Sequence, residues 1–354
     1  MSSSVNRQWR VARYPAPQET IGPEHFTWTE AAVAEPADGE FLVRTICLAP
    51  VPAQRGYLEQ SHAGFLANLP IGEVMRGRGV GQIVASRHPD YPVGEIFVGS
   101  LGWQDYSLQR PRGAEFVFSN RTVADPVRPL SMELGVLGQA GATAWFGLLE
   151  VGQLKAGDNV LVSAAAGGVG SVAGQIARLR GAARVVGTAG SDDKCRWLKE
   201  ELGFHEVINY RRENVPARLR ELFPAGIDVF FDNVGGDLLN DALANLAMHA
   251  RVVICGFIAT DYSPGPHHGP INYQCIVYKR ARMEGFVVFD YWDRYHEAGS
   301  ALRDWYRQGL LRNTEDVDHG LERMPASLAS LFTGGNRGVK ICRVAPDPGG
   351  PEVA

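Results

Sequence analysis

The chain has 354 residues, 45% hydrophobic and 21% charged, the composition of an ordinary globular protein long enough for two domains. A formal net charge of −4 supplies no broad basic field, so nucleic acid is not an expected partner. Cys47, Cys195, Cys255, Cys275 and Cys342 are scattered without a Cys-x-x-Cys pair; this speaks against a disulfide framework or a structural zinc lobe, and for a reducing cytoplasm.

The first residues, "MSSSVNRQWRVARY", have no apolar h-region, so no secretion signal is expected. Residues 1–130 read as β-rich, with "EFLVRTICLA", "GVGQIVAS" and "EIFVGSLGWQDYSL" separated by Pro, Gly and Asp punctuation. "ADPVRPL" at 124–130 reads as a linker. From 131 to 309 short strands alternate with helical patterns, the signature of parallel βαβ units. Strands are expected at 159–164, 183–189, 206–210, 228–233, 251–256 and 282–288. Six such strands make a doubly wound sheet. The least polar stretch, 160–177, is interrupted by glycines, serines and Gln175, whereas a membrane helix needs about 20 mostly apolar residues, so no membrane span is expected. After the helical "DRYHEAGSALRDWYRQG" the chain returns to β-like pieces at 310–345, expected to complete the first domain; 346–354 reads as a disordered tail.

The segment "SAAAGGVGSVAG" at 163–174 follows the apolar "NVLV". Its spacing is Ala165-x-Gly167-x-x-Gly170, with Gly168 and Val169 between the two glycines. In a dinucleotide fingerprint these positions serve a tight turn, close approach of backbone to a pyrophosphate, and helix-on-strand packing. The alternative is a purely structural glycine turn. About 20 residues on, enzymes that use NAD place Asp or Glu to hold the ribose 2′-OH; here "GTAGSDDK" has no acid closing the strand. Gly190 and Ser191 leave room for a 2′-phosphate and Lys194 offers a cation, which selects NADPH. Ser191 also reads as a helix cap, with Asp192 and Asp193 in the first turn; the two roles are compatible. Only five of the 35 basic residues are lysine: Lys155, Lys194, Lys199, Lys279 and Lys340.

"LKAGDNVLVSAAAGGVGSVAGQIARLRG", "FDNVGG", "ARVVICG" and "KRARMEGFVVFDY" resemble the zinc-free medium-chain dehydrogenase/reductases, in the leukotriene 12-hydroxydehydrogenase/prostaglandin reductase branch. The resemblance runs from about 43 to 344. It implies an α/β fold in which a GroES-like, β-rich catalytic domain (1–130, completed by 310–345) accompanies a Rossmann domain (131–309). It also implies NADPH, a homodimer, and reduction of an α,β-unsaturated carbonyl. By position it assigns Thr143, Gly167, Gly170, Lys194, Tyr210, Asn233, Cys255, Ile258, Phe289 and Asn336 to the cofactor. The zinc-dependent relatives carry Gly-His-Glu where this chain has "LPIGEVMRG", without histidine. Cys47 therefore reads as a core residue and His267 and His268 as a solvated loop.

In this family a tyrosine a few residues after "C-G-x-I" assists the nicotinamide ribose in stabilising an enolate oxygen. "CGFIATDYS" makes Tyr262 the candidate, one position later than in relatives, the alternative being a loop tyrosine with no catalytic role; Tyr273 is the second choice. Relatives read "SLDPYMRGRM" where this chain reads "APVPAQRGYL", so Ala53 and Gln54 replace a Tyr-Met pair; "GQAG" replaces "GMPG", bringing in Gln139. With Trp103 and Tyr273, these residues are the expected substrate pocket. Three readings of function follow: an enone reductase acting on a small unsaturated molecule, a reductive cyclase in which hydride addition triggers ring closure, and a non-catalytic NADPH-binding protein.

Overall fold

Strand alternation organises the first unit of the computed structural model, which describes residues 5–16, 19–58, 68–111, 120–261 and 269–348. β1 (Val5–Val11) and β2 (Phe26–Ala32) pair antiparallel along their whole length. β3 (Phe41–Ala49) buries every residue except Arg44, as its near-continuous apolar run requires. It carries β4 (Arg78–Ser86) on one edge, followed outward by β5 (Ile96–Ser100) and β7 (Arg121–Val123), and it also pairs with β6 (Tyr106–Gln109). Phe41, Val43, Leu48, Ile83, Phe97 and Trp103 form the core of this layer.

The second unit opens with α1 (Gln139–Phe146) and continues as β8 (Asn159–Val162), α2 (Gly168–Leu179), β9 (Arg184–Ala189), α3 (Asp192–Glu200), β10 (Glu206–Asn209) and α4 (Val215–Leu222). It proceeds through β11 (Ile227–Asp232), α5 (Gly236–Leu243), β12 (Leu246–Ile254), α6 (Ile258–Asp261), α7 (Gln274–Lys279), β13 (Arg282–Gly285) and α8 (Tyr295–Arg307). The six strands pair parallel in the order β10-β9-β8-β11-β12-β13. The order reverses between β8 and β11, and open α/β sheets bind ligands outside the strand C-termini at such a switch point. β12 begins at Leu246, five residues before the expected 251, because α5 ends at Leu243 and the Asn245 carbonyl accepts from the Ile227 amide at 2.9 Å. β13 stops at Gly285 rather than running on to 288; a 3₁₀ turn begins at Val288.

β14 (Glu315–His319), α9 (Met324–Phe332) and β15 (Val339–Arg343) follow, and β14 and β15 extend the β3 sheet. The chain divides into a unit of residues 1–134, 316–335 and 340–354 and a unit of residues 135–315 and 336–339. Residues 336–339 join the second unit because the Gly338 amide donates to the Ala166 carbonyl (2.8 Å) and the Val339 amide to Thr314 (2.9 Å). The expected tail needs correcting at its start: Asp347 pairs with Arg128 and accepts from the Leu130 amide at 3.0 Å. Residues 349–354 lie outside the described residues.

Candidate functional site

The glycine-rich turn divides its glycines between two tasks. At Gly170 a Cβ would run into the Ala164 carbonyl, and at Gly174 into the Phe204 ring, so both are demanded by packing of α2 onto the sheet. Gly167 differs. A Cβ there would meet only the Ala164 carbonyl, at 3.2 Å, so the missing side chain leaves a cradle in front of the turn. Gly167 is the N-cap of α2 and offers no side-chain cap. The first-turn amides, at Gly168, Val169 and Gly170, thus lie at the positive end of a twelve-residue helix, where backbone donors and dipole together favour an anion. Ala164 turns the chain through φ 45°. The 336–339 strand segment braces the turn through a parallel bridge of Gly338 to Gly167; Asn336 Nδ2 donates to the Gly338 carbonyl at 2.9 Å.

The end of β9 lacks a carboxylate aimed at a ribose. Ser191 caps α3, its Oγ accepting from the Lys194 amide at 3.4 Å. Asp192 accepts from Asn209 Nδ2 (2.6 Å) and pairs with Arg212, while Asp193 pairs with Arg196. Both first-turn acids are therefore engaged by neighbours. At Gly190 a Cβ would lie 2.7 Å from the Tyr210 hydroxyl and 3.4 Å from Arg211 Nε, so Gly190 and Tyr210 do meet, and Arg211 joins them. Sequence reasoning missed Arg211. Its guanidinium lies 5.9 Å from the Tyr210 ring centroid, and no carboxylate among the described residues pairs with it. Its signal was legible as a cation next to Tyr210.

A buried polar knot stands behind the β8 and β11 ends. Asp232 has no solvent exposure; it accepts from Ser163 Oγ (2.8 Å) and from the amides of Val234 (2.9 Å) and Gly235 (3.1 Å). Burial pushes its pKa up, and these three donors oppose that shift. Ser163 Oγ in turn accepts from the Asn233 amide at 2.7 Å, and Asn233 Nδ2 donates to the Ser163 carbonyl at 2.8 Å. The Asp232 carbonyl accepts from Cys255 N (2.8 Å) and Gly256 N (3.1 Å). Asn233 and Cys255 are thereby positioned by one buried carboxylate residue, which the sequence signalled only as an acid closing the apolar "VFFD". Burial, then the charge of Asp232, raises the Cys255 thiol to about 12, so it is no nucleophile at neutral pH. Thr143, on α1, donates its hydroxyl to the Gln139 carbonyl at 2.7 Å. Ile258 opens α6, and Phe289 stands 5.9 Å from Trp292, ring to ring, in a 3₁₀ turn.

Two family models match the chain: "Zinc-binding dehydrogenase" over residues 168–304 and "N-terminal domain of oxidoreductase" over 7–117. The chain is 37% identical over 347 residues to the NADPH-dependent curcumin reductase of Escherichia coli (strain K12), covering 97% of this chain and 98% of that protein. It is 35% identical over 319 residues to (+)-pulegone reductase of Mentha piperita, covering 88% and 90%. The crystal structure of CurA in complex with NADPH from Vibrio vulnificus superposes with a TM-score of 0.88 at 34% identity, covering 96% of this chain and 99% of that one. The chain belongs to the medium-chain dehydrogenase/reductase family, among its NADPH-dependent enone and alkenal reductases.

The first family model's description raises the question of zinc in this medium-chain reductase. Among the described residues, one set of His, Cys, Asp and Glu brings ligand atoms together: Glu19, Glu24 and His25. His25 Nδ1 accepts from the Gly22 amide at 3.0 Å and its Nε2 lies 3.5 Å from Glu19; two carboxylates with a single imidazole do not match the catalytic zinc sets, which are built on two or more His or Cys. Cys342 is raised to about 12, chiefly by burial, and Cys47 is buried in β3. His267 and His268 lie outside the described residues, as does Tyr262.

The expected pocket residues of this reductase fall on both units. In the first, Gln54 is buried; its Oε1 accepts from the Val51 amide (2.9 Å) and its Nε2 donates to the Arg76 carbonyl (2.8 Å). Its amide therefore ties two backbone groups together, with one N–H and one oxygen lone pair left over. A Cβ at Gly77 would sit 2.8 Å from Trp103 and 3.2 Å from Gln54 Nε2, so these two do come together. Trp103 is fully buried, with its ring centroid 4.8 Å from that of Phe26. Ala53 is exposed on a 3₁₀ turn. In the second unit Gln139 begins α1, and Tyr273 is the N-cap of α7 with 66% of its surface exposed.

Proposed function

We propose that the chain is an NADPH-dependent reductase that works without metal and delivers hydride to the β-carbon of a C=C bond conjugated to a carbonyl. The observation that carries this reading is the cradle before Gly167 at the uncapped start of α2, beside a β9 end whose acids are engaged and whose Arg211 has no carboxylate partner among the described residues. NADPH, when bound, supplies the hydride. The first-turn amides of α2 hold the pyrophosphate; Lys194, Tyr210 and Arg211 take the 2′-phosphate, with Gly190 and Ser191 leaving room for it. Asn233, held by Ser163, together with Thr143, Cys255, Ile258, Phe289 and Asn336, orients the rest of the cofactor. We assign to the Tyr262 hydroxyl the donation of a hydrogen bond to the developing enolate oxygen, with Tyr273 as the second candidate. Relatives named for curcumin and pulegone reduction support the substrate class.

The chain acts as a homodimer in the cytoplasm. Among the described residues β13 is the end strand of the parallel sheet, and Ile271, Val277 and Tyr278, shortly before it in the chain, are 77%, 70% and 67% exposed. A second copy covers both features by isologous pairing. No helix among the described residues is long and apolar enough to cross a membrane. Light scattering of the wild type and of Val277→Asp checks the assembly: a monomeric wild type refutes it.

The reaction is tested by turnover of a panel of 2-alkenals and cyclic enones with deuterated NADPH. Deuterium is expected at the β-carbon of an open product. Deuterium on a carbinol carbon, or tight NADPH binding with no turnover, overturns the reading. Tyr262→Phe should lower kcat by about 10²–10³-fold, the usual loss for one oxyanion donor, while leaving NADPH affinity near that of the wild type.

A further inference from the structure

A cavity of about 390 Å³ lies at the N-terminal ends of β8, β12 and β13 in the second unit. It is at the other end of the sheet from the glycine-rich turn, and nothing in the proposed reaction uses it. Lys155, His249, Arg251, Arg280 and Arg282 line it, against a single carboxylate, Asp158. Asp158 is engaged by Arg251, whose Nε also donates to the Gly152 carbonyl at 2.9 Å. Of the remaining cations, Arg282 meets Glu284 only at 3.8 Å and its Nη2 donates to the Val151 carbonyl. Lys155 and Arg280 pair with no carboxylate among the described residues; Arg280 instead donates to the Tyr278 carbonyl at 3.0 Å and to Met248 Sδ at 3.3 Å.

Two independent observations indicate a ligand rather than a solvated basic face. Arg282 Nε is buried without a hydrogen-bond acceptor, its nearest carboxylate oxygen being Glu284 at 3.8 Å. A buried unsatisfied donor calls for an ion or water to complete it. The backbone supplies the second. Among the described residues four non-glycine residues have positive φ, and three of them line this cavity: Gln153 (43°), His249 (61°) and Arg280 (47°). Gln153 and Arg280 take this conformation just past helical turns, where it is a common cap; His249 takes it within β12, where a side chain is held in that region at a cost.

We propose that this cavity is a binding site for a small polyvalent anion of the phosphate class, held by Lys155, Arg280 and Arg282 with His249 as a hydrogen-bonding neighbour. The volume admits an anion as large as a nucleoside monophosphate or a tricarboxylate. Bound there, the anion ties together the starts of three strands and stabilises the folded unit by mass action.

The test is a thermal-melting and calorimetric titration of the full chain with inorganic phosphate, pyrophosphate and citrate, against sodium chloride at equal ionic strength. A saturable rise in melting temperature beyond the chloride curve is expected. Pyrophosphate acting alone identifies a phosphoryl site; citrate acting equally identifies a general polyanion site, and either supports the proposal. Lys155→Ala and Arg280→Gly should each weaken the effect about tenfold, the scale of one charge-assisted contact. Glycine is chosen at 280 because it takes the left-handed conformation without strain, so the variant keeps its fold. The titrations are run at saturating NADPH, so that the cofactor end, where the α2 amides and Arg211 also take phosphate groups, is already filled. Phosphate, pyrophosphate and citrate curves that all coincide with chloride overturn the proposal, and so does a rise in melting temperature that Lys155→Ala and Arg280→Gly both leave unchanged.

Discussion

The two ends of the parallel sheet solve the problem of holding charge in different ways. At the C-terminal ends of β8, β9 and β11 the chain uses glycines, helix amides and a serine linked to a buried aspartate. At the N-terminal ends of β8, β12 and β13 it gathers long cationic side chains, Lys155, Arg251, Arg280 and Arg282, around a cavity. Where backbone meets the ligand, residues must be small at set intervals, and that spacing can be read along the chain. Where side chains from separate strands converge, the intervals are set by strand order and carry no local signature. The first arrangement is rigid and costly to disturb; the second should yield to single substitutions with little structural harm.

The largest expected effect tests that rigidity. Gly170→Val places atoms against the Ala164 carbonyl and the Ala165 Cα, neither of which can rotate away. It should destabilise the chain by about 3 kcal/mol or more, whereas Gly167→Ala should change stability little and weaken NADPH at least about tenfold. Calorimetric melting and NADPH titration of both variants decide this; a Gly170→Val protein that melts with the wild type would break the division of tasks within the turn.

Ser163→Ala comes next. Removing a hydroxyl that donates to the buried Asp232 should cost about 2 kcal/mol. Burial raises the folded-state pKa of Asp232 above its unfolded value. Its stabilising contribution is therefore complete below the unfolded pKa and declines as pH rises through the folded one. Ser163 favours the charged form, so the deficit of Ser163→Ala should be larger at pH 7 than at pH 4. Equal deficits at both pH values would remove the carboxylate from the explanation.

Arg211→Ala and Lys194→Ala should each weaken NADPH about tenfold, near 1.4 kcal/mol, with little change for NADH. Equal affinity of the wild type for the two cofactors would refute the assignment of this corner. Smallest is Arg280→Gly at the other end, which should stabilise the fold by about 1 kcal/mol through relief of left-handed strain. A lower melting temperature in phosphate-free buffer would mean that Arg280 serves the fold rather than a ligand.

Much of the second unit follows from sequence, because helix and strand periods and turn residues act over a few positions. The order along the chain of six parallel strands, the bounds of β8 to β11 to within two residues, the Ser191 cap on α3 and the start of α2 at the glycine turn follow local pattern. Tertiary structure decided the rest. Gly170 and Gly174 look the same as Gly167 in a motif, and only the approach of Ala164 and Phe204 separates packing from opening. Gln54 reads as pocket polarity until its amide is found bonded to Val51 and Arg76. β12 starts early because a strand partner and the end of α5, rather than propensity, set its boundary. Asp232 meets Ser163, and Arg280 faces Lys155 across a cavity, only because sheet order makes neighbours of residues far apart along the chain. Periodicity describes what each segment buries; the partners of a buried charge are set by long-range pairing.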